Sequence, residues 1–226
     1  MKPWLKEQWC IPTVSAEFVY RMEDVLDLYA EPYDPQRPVV CFDELPYQLI
    51  GETRTPLPAA PGQPARYDYE YERKGTCNLF IYFQPLAGWR HVDVTAQRTL
   101  ADFAHCMRDL VDVHFPDAVQ IRLVTDNLNI HKPEALYAVF EPQEARRIVR
   151  KLEFHYTPRH GSWLNMAEIE LSVLARQCLD RRIPDTMMLR DETAAWETAR
   201  NARKATVDWR FSTFDARTKL ARLYPS

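Results

Sequence analysis

The stretch that decides the fold is RLVTDNLNIHK, residues 122–132, in which an apolar run stops abruptly at two polar residues. The apolar run covers residues 119–124 and has the length and composition of a buried strand. Asp126 and Asn127 stand where this strand ends. Asp and Asn are common in turns, so a turn or helix-cap residue is the more frequent explanation of Asp126 when the stretch is taken alone.

A second stretch, RPVVCFDE (37–44), repeats the pattern, because its apolar residues stop at Asp43 and Glu44. We predict a strand over 38–43 that delivers Asp43 at its carboxyl end. If the two strands are neighbours in one sheet, Asp43 and Asp126 belong to one site. Glu44 points to the opposite face of its strand, because side chains alternate along a strand. We therefore expect a structural role for Glu44.

The periodicity of apolar residues predicts β elements in the first half of the chain and mostly helices in the second. The predicted strands are 38–43, 67–72, 76–83, 89–95, one ending at Asp126, and 153–158, with a turn at RKG (73–75) and a loop over 54–67. The predicted helices are 15–30 with Ser15 as N-cap, 98–114, 132–140, 142–152, 162–179 with Ser162 as N-cap, 186–204 and 213–223. This order predicts an α/β fold with a mixed sheet, an antiparallel meander followed by parallel strands, flanked by helices. An RNase H-like fold has this order of elements.

Composition excludes several classes of protein. The chain has 226 residues, 46% of them hydrophobic, which is enough for a substantial core, and no apolar run approaches membrane length. No signal-peptide pattern is present, so we expect a cytoplasmic protein. The five cysteines form no CxxC pair, which favours buried core residues over a zinc site or disulfides.

Charge is distributed unevenly along the chain. Residues 1–140 hold 13 Lys and Arg against 20 Asp and Glu, whereas residues 141–226 hold 16 against 12. A basic second part could meet a polyanion such as DNA. Ordinary solvated helix faces would give the same imbalance.

A third acid is available on the helix predicted over 162–179. At 100° per residue, Glu168 shares a polar stripe with Asn165 and Ser172, whereas Glu170 falls on the apolar face. Spacing does not choose between the two. Three converging carboxylates repel one another unless divalent cations hold them, and oxygen ligands favour Mg²⁺, with Mn²⁺ as a substitute. Such a site suits phosphoryl transfer.

Three blocks of the sequence resemble the catalytic blocks of IS630-type transposases, in the IS630/Tc1/mariner group of DDE enzymes. The blocks are VVCFDE (39–44), LVTDNLNIHK (123–132) and HYTPRHGSWLNMAEIELSVLARQC (155–178). The resemblance implies an RNase H-like catalytic domain with Asp43, Asp126 and Glu168 as catalytic residues and metal ligands. It also implies cleavage at transposon ends, strand transfer to target DNA, and a homodimer or a dimer with a full-length transposase, on bacterial nucleoid DNA and not at a membrane.

The chain departs from that family in two ways. The second and third acids are separated by 41 residues, a wider gap than in better-known relatives, which the helices predicted over 132–152 would fill. We also expect no N-terminal helix-turn-helix modules here. The predicted organisation is a linker and helix over 1–36, an RNase H-like DDE catalytic domain over 37–180, and a helical extension over 181–226.

Two other functions stay open at this point. A chain without end-binding modules could be a catalytically silent regulator or relic of a transposase. Another RNase H-like nuclease, acting on RNA–DNA hybrids or junctions, would carry the same acids. Several further residues have both a site role and a structural role open: Lys132 and Arg159 could contact phosphate, and His131 and His160 could assist the site, but we expect structural histidines. We expect Asn127 to cap the turn and Trp163 to pack in the core.

Overall fold

A computed structural model describes residues 15–221 and 224, in which five strands form one sheet in the order β3-β2-β1-β4-β5. The strands are β1 (Val39–Glu52), β2 (Tyr71–Gln84), β3 (Trp89–Thr95), β4 (Ile121–Thr125) and β5 (Leu152–Tyr156). The helices are α1 (Ala16–Ala30), α2 (Leu100–Asp109), α3 (Glu134–Val139), α4 (Pro142–Lys151), α5 (Met166–Leu174), α6 (Thr186–Ala202) and α7 (Thr213–Lys219). Within the described residues, no helix is both long and apolar enough to cross a membrane.

The sheet combines the two predicted kinds of pairing. β1, β2 and β3 form an antiparallel meander. β1 also pairs in parallel with β4, and β4 pairs in parallel with β5. The predicted mixed α/β fold is confirmed, because each parallel connection carries helices that cover the sheet.

The two faces of the sheet are buried under different helices. On one face, Cys41 and Val124 belong to a core with residues of α1, α5 and α6. On the other face, Phe42 and Leu123 belong to a core with residues of α2, α3 and α4. Side chains alternate along a strand, so the odd-numbered residues of β1 near residue 41 face α1 and α5.

The predicted end of the first strand at Asp43 is wrong. β1 continues for nine residues to Glu52, because β2 offers a long antiparallel partner on that side. Its parallel pairing with β4 does stop at Cys41 and Val124. Asp43 therefore lies where β1 separates from β4, inside a strand but at an edge of the parallel part of the sheet.

The predicted turn at residues 73–75 is also wrong, because β2 passes through it without reversing. Gly75, with a φ of 108°, sits in a β-bulge where the register against Leu49 and Ile50 shifts. A bulge inserts an extra residue into one strand and requires such a backbone at glycine. The strand predicted over 67–72 is largely absent, since β2 begins at Tyr71 and the loop before it, with Tyr69 exposed, holds only isolated bridges.

The helix predicted over 162–179 is present, but it begins later than expected. Residues Ser162–Leu164 form a 3₁₀ turn, and Asn165, not Ser162, is the N-cap of α5, accepting a hydrogen bond from the N–H of Ala167. Residues Ala175–Leu179 then widen into a π-helical turn. Ser162 cannot cap because the chain turns once more before the α-helix starts.

The remaining helices follow the predicted pattern closely. Ser15 caps α1 by accepting from the N–H of Phe18, as expected. The helix predicted over 98–114 is α2 followed by a π-helical turn, Leu110–His114. α7 ends at Lys219, and residues 222–223 of the helix predicted over 213–223 lie outside the described residues. The stretch over 1–14, including Cys10, also lies outside them, whereas the other four cysteines are buried and reduced.

Candidate metal centre

Asp43 and Asp126 approach each other because of the register between β1 and β4. Cys41 pairs with Val124, so each acid lies two residues beyond the last parallel pair. Two residues is one full period of a strand, so Asp43, which lies within β1, faces the side of the sheet that α1 and α5 cover. Asp126 stands one residue beyond the end of β4. Asp43 and Asp126, which were predicted from two separate stretches of sequence, therefore lie at the same edge of the parallel part of the sheet.

Asp43 is a carboxylate held in a largely buried position. Its Oδ1 accepts a hydrogen bond of 2.9 Å from the N–H of Glu44. Burial, together with the negative charges of Glu44, Glu168 and Asp126, raises the pKa of Asp43 to about 7 against the lowering effect of that hydrogen bond. Glu168 and Asp126 therefore both lie close enough to Asp43 to affect its ionisation.

Asp126 begins the loop after β4, and its side chain is 41% exposed. Its Oδ1 accepts from the N–H of Leu128 at 3.1 Å and lies 2.5 Å from Nδ1 of His131. Burial raises the pKa of Asp126, but the hydrogen bond and the charge of His131 outweigh burial and hold the pKa below its usual value. Asp126 is thus ionised at neutral pH.

Glu168 lies in the first turn of α5, exposed to solvent. Its backbone N–H donates to the carbonyl of Asn165 at 3.1 Å. The Asn165 side chain in turn donates to the carbonyl of Phe42 at 2.9 Å and lies 3.4 Å from Oδ2 of Asp43. One amide therefore fixes the start of α5, and with it Glu168, beside Asp43.

Glu170, the other acid that spacing left open, is 1% exposed and already engaged. Its carboxylate pairs with Arg90 at 3.0 Å and accepts two hydrogen bonds of 2.9 Å from Arg200. Arg90 lies on β3 and Arg200 on α6, so Glu170 joins three elements. A carboxylate that two guanidinium groups hold in the core is not free to bind a cation at the sheet edge.

His131 and Glu44 form a buried pair behind Asp126. Nε2 of His131 lies 3.2 Å from Glu44, within ion-pair distance but not aligned as a hydrogen bond. Glu44 also accepts a hydrogen bond of 2.8 Å from Arg98. Burial lowers the pKa of His131, but hydrogen bonding to Asp126 and the charges of both acids outweigh burial and raise it to about 9. The expected structural roles of Glu44 and His131 agree with these contacts.

The other residues considered from sequence lie on the surface around this edge. Asn127, Lys132, Arg159 and His160 are exposed, and His160 has a φ of 63°. Trp163 is 44% exposed, so the expectation that it packs in the core is wrong. Its ring lies against Trp209 and Phe211, which support one face and leave the rest in solvent.

The donor atoms of the three acids fit a hard divalent cation, since all are carboxylate oxygens. Across residues 15–221 and 224, no three His, Cys, Asp or Glu side chains are gathered tightly enough to hold a metal ion. Burial first, and then the neighbouring negative charges, raise the pKa of Asp43, and a bound cation would lower it.

Sequence patterns missed the residues that organise the acids. Asn165 was recognised only as part of a polar stripe, yet it caps α5 and touches β1. Arg98 was not singled out at all, although it holds Glu44. An N-cap residue three positions before an acid was the available signal for Asn165. No local signal exists for Arg98, because its partner lies 54 residues away.

The chain is similar to a known protein family in sequence and to solved structures in fold. A family model described as DDE superfamily endonuclease matches residues 38–190. No curated protein sequence matches the chain. The chain is similar in structure to the Mos1 mariner paired end complex with Mn, with a TM-score of 0.57 and 15% identity over 88% of this chain and 62% of the Mos1 chain.

Two further Mos1 structures are similar to the chain. A pre-cleavage Mos1 transpososome matches with a TM-score of 0.57 and 15% identity, over 96% of this chain and 67% of that one. The catalytic domain of Mos1 mariner transposase matches with a TM-score of 0.56 and 11% identity, over 87% and 91%. The chain spans about three fifths of the Mos1 chain in the paired end complex. At such identities these matches establish the fold and confirm the predicted RNase H-like architecture.

Proposed function

We propose that this chain, which belongs to the DDE superfamily endonuclease family, is the catalytic domain of a transposase that cuts and joins DNA strands. One observation carries the proposal. Asp43 and Asp126 each lie two residues beyond Cys41 and Val124, the last parallel pair of β1 and β4, and Asn165 holds the start of the Glu168 helix against Asp43. These contacts support a site formed by the three acids of the family pattern, which come from three distant parts of the chain.

Asp43, Asp126 and Glu168 would hold the divalent cations, Mg²⁺ or Mn²⁺. The Mos1 complexes were obtained with Mn and with Mg, and all-carboxylate ligation suits both ions. Bound cations would supply activation of the attacking water or hydroxyl and charge stabilisation at the phosphate. In this proposal, Glu170 takes no part in binding them.

The three acids are held in place to different degrees. Asp43 is fixed by its strand and by the N–H of Glu44. Asp126 is fixed through one oxygen by His131, and Glu168 stands at the start of a helix with its side chain in solvent. Such a site can close around cations and a phosphodiester by moving Glu168 more than the other two acids.

DNA is the proposed substrate, in the form of transposon ends and target DNA. Lys132 and Arg159 are exposed in the loops that follow β4 and β5, on the edge where the acids lie, and could contact phosphates. Mos1 neighbours include a paired end complex and a strand transfer complex. We extend pairing to this chain as a homodimer or a dimer with a full-length relative, acting on bacterial nucleoid DNA in the cytoplasm. The IS630 type is part of the same proposal.

Nicking of supercoiled plasmid in Mn²⁺ tests the proposal. The wild-type chain should convert supercoiled to nicked DNA, and Asp126→Asn should abolish nicking, because it removes one anionic ligand without changing side-chain size. Asp117→Asn, at an exposed acid away from the site, serves as the matched control and should nick normally.

Three results would contradict the proposal. Nicking that persists in Asp126→Asn would show that this acid is not a ligand. Preference for RNA–DNA hybrids over duplex transposon ends would favour another RNase H-like nuclease. Tight association with a full-length transposase, without nicking by this chain even when ends and Mn²⁺ are supplied, would favour a silent regulator.

A further inference from the structure

His131 occupies an unusual position for an ionisable side chain, since it is completely buried between two carboxylates. Its Nδ1 lies 2.5 Å from Oδ1 of Asp126, and its Nε2 lies 3.2 Å from Oε2 of Glu44. Among the described residues, Asp126 is the acid of the proposed site that contacts a histidine. The proposed metal chemistry assigns no task to this contact.

The contact determines which oxygen of Asp126 is available. Oδ1 receives both the His131 imidazole and the N–H of Leu128. No hydrogen bond from the described residues reaches Oδ2. A carboxylate that is fixed through one oxygen presents the other in a single direction. The loop position of Asp126 would otherwise leave its side-chain rotamer free.

Contacts with four neighbouring elements hold the His131 side chain and backbone in place. The rings of Phe42 and Phe103 pack against it at centroid distances of 5.6 and 4.9 Å. The hydroxyl of Tyr156 donates to the His131 carbonyl at 2.9 Å. Thr125 Oγ1 lies 3.1 Å from Nδ1. These contacts come from β1, α2, β5 and β4, so the position of His131 is set by the fold and not by its own loop.

Glu44 contacts the ring nitrogen of His131 that does not face Asp126. The Glu44 side chain is almost fully buried and faces Arg98, which lies partly in solvent just before α2. Glu44 therefore holds the His131 ring through the nitrogen that does not face Asp126, and Arg98 holds Glu44 through a hydrogen bond of 2.8 Å.

We propose that His131 is a positioning residue, supported by Glu44 and Arg98, that orients Asp126 so that Oδ2 faces the divalent cation. This inference rests on the proposed function, because it presumes that Asp126 is a ligand. Residues that orient metal ligands through hydrogen bonds typically change metal affinity by about 10- to 100-fold when they are removed.

A second histidine in the chain provides a matched control. His155, on β5, is also largely buried between two carboxylates, with Nδ1 2.8 Å from Asp24 and Nε2 3.4 Å from Glu153. Neither of these acids belongs to the proposed site. His155→Ala therefore removes the same kind of histidine–carboxylate contact outside the proposed site and reports the purely structural consequence.

Mn²⁺ binding, measured by the electron paramagnetic resonance of free Mn²⁺, tests the inference without any DNA. His131→Ala should weaken Mn²⁺ affinity about 10-fold or more. His131→Asn should restore most of it, because the asparagine amide places an N–H donor near the position of Nδ1. His155→Ala should bind Mn²⁺ like the wild type. Circular dichroism melting of each variant shows which of them are folded.

The outcomes separate this inference from the proposed function. Wild-type Mn²⁺ binding that disappears in Asp126→Asn supports the function, and equal affinity of wild type and folded His131→Ala would then overturn the role of His131 alone. Tighter binding by His131→Ala would also overturn it, since the histidine would then act mainly through repulsion. If His131→Ala does not fold, an affinity of His131→Asn no better than that of Asp126→Asn would overturn it. Absence of binding by the wild type would overturn both.

Discussion

At the scale of single residues, Glu168 and Glu170 stand two positions apart on one helix and have opposite surroundings. Glu168 is in solvent near Asp43, whereas Glu170 is buried between Arg90 and Arg200. Buried ion pairs are costly to break, because removing one partner leaves the other charge without compensation in the core. The two acids should therefore respond to the same substitution in opposite ways.

Glu170→Gln should lower the free energy of unfolding by about 3–5 kcal/mol, because Arg90 is fully buried and would lose its main counter-charge. Glu168→Gln should change stability by less than about 0.5 kcal/mol, as expected for an exposed side chain, and should abolish nicking. Urea unfolding and plasmid nicking measure the two effects. Loss of nicking by a fully stable Glu170→Gln, with normal nicking by Glu168→Gln, would reverse the assignment.

At the scale of elements, the start of α5 decides whether the third acid reaches the site. Asn165 caps the helix through Ala167 and ties it to β1 through the Phe42 carbonyl. Asn165 is buried, so the loss of its amide leaves unsatisfied polar groups in addition to an uncapped helix. Ser162, three residues earlier, is exposed and has no capping hydrogen bond to α5.

Asn165→Ala should destabilise the protein by about 1–3 kcal/mol, combining a lost cap with an unsatisfied carbonyl, and should reduce nicking through displacement of Glu168. Ser162→Ala is the matched control, and its stability should stay within about 0.5 kcal/mol of the wild type. Thermal and urea unfolding provide the measurement. Equal destabilisation by the two variants would indicate that Ser162 caps the helix in solution.

At the scale of the whole molecule, a cluster of polar side chains joins β3 to α6. His91 lies 3.1 Å from Glu197 of α6 and 3.3 Å from Asp93. Its ring also lies 4.4 Å from that of His114, whose pKa is lowered by burial and by the charge of His91. Burial lowers the pKa of His91, but its two carboxylate partners outweigh burial and raise it to about 9.

The raised pKa of His91 predicts a pH-dependent stability. The folded pKa of His91, about 9, exceeds the unfolded pKa of about 6.5. Protonation of His91 therefore stabilises the fold fully below pH 6.5, and this stabilisation is lost as pH rises through 9. Between pH 7 and pH 9.5, the wild type should lose about 1–3 kcal/mol of unfolding free energy more than His91→Gln does. Urea unfolding at several pH values measures this, and parallel curves for both proteins would refute it.

Much of the fold was predictable because its signals are local. Ser15 caps α1 as predicted, and the apolar runs before Asp43 and Asp126 are strands. The errors occurred where distant partners override local patterns. Residues 73–75 look like a turn, yet β2 continues through them because β1 pairs with it across a bulge. Trp163 looks like a core residue, yet the 3₁₀ turn before α5 leaves it half in solvent.

The sequence by itself determined the order of elements, the mixed sheet and two acids at the ends of apolar runs, because periodicity and strand composition act within a few residues. Only the tertiary structure decided that Glu170 is an ion-pair residue, that Asn165 joins α5 to β1, and that His131 lies between Asp126 and Glu44. Each of these depends on a contact between elements that are brought together by sheet register and helix packing. The burial and charge that define such contacts exist only after the chain has folded.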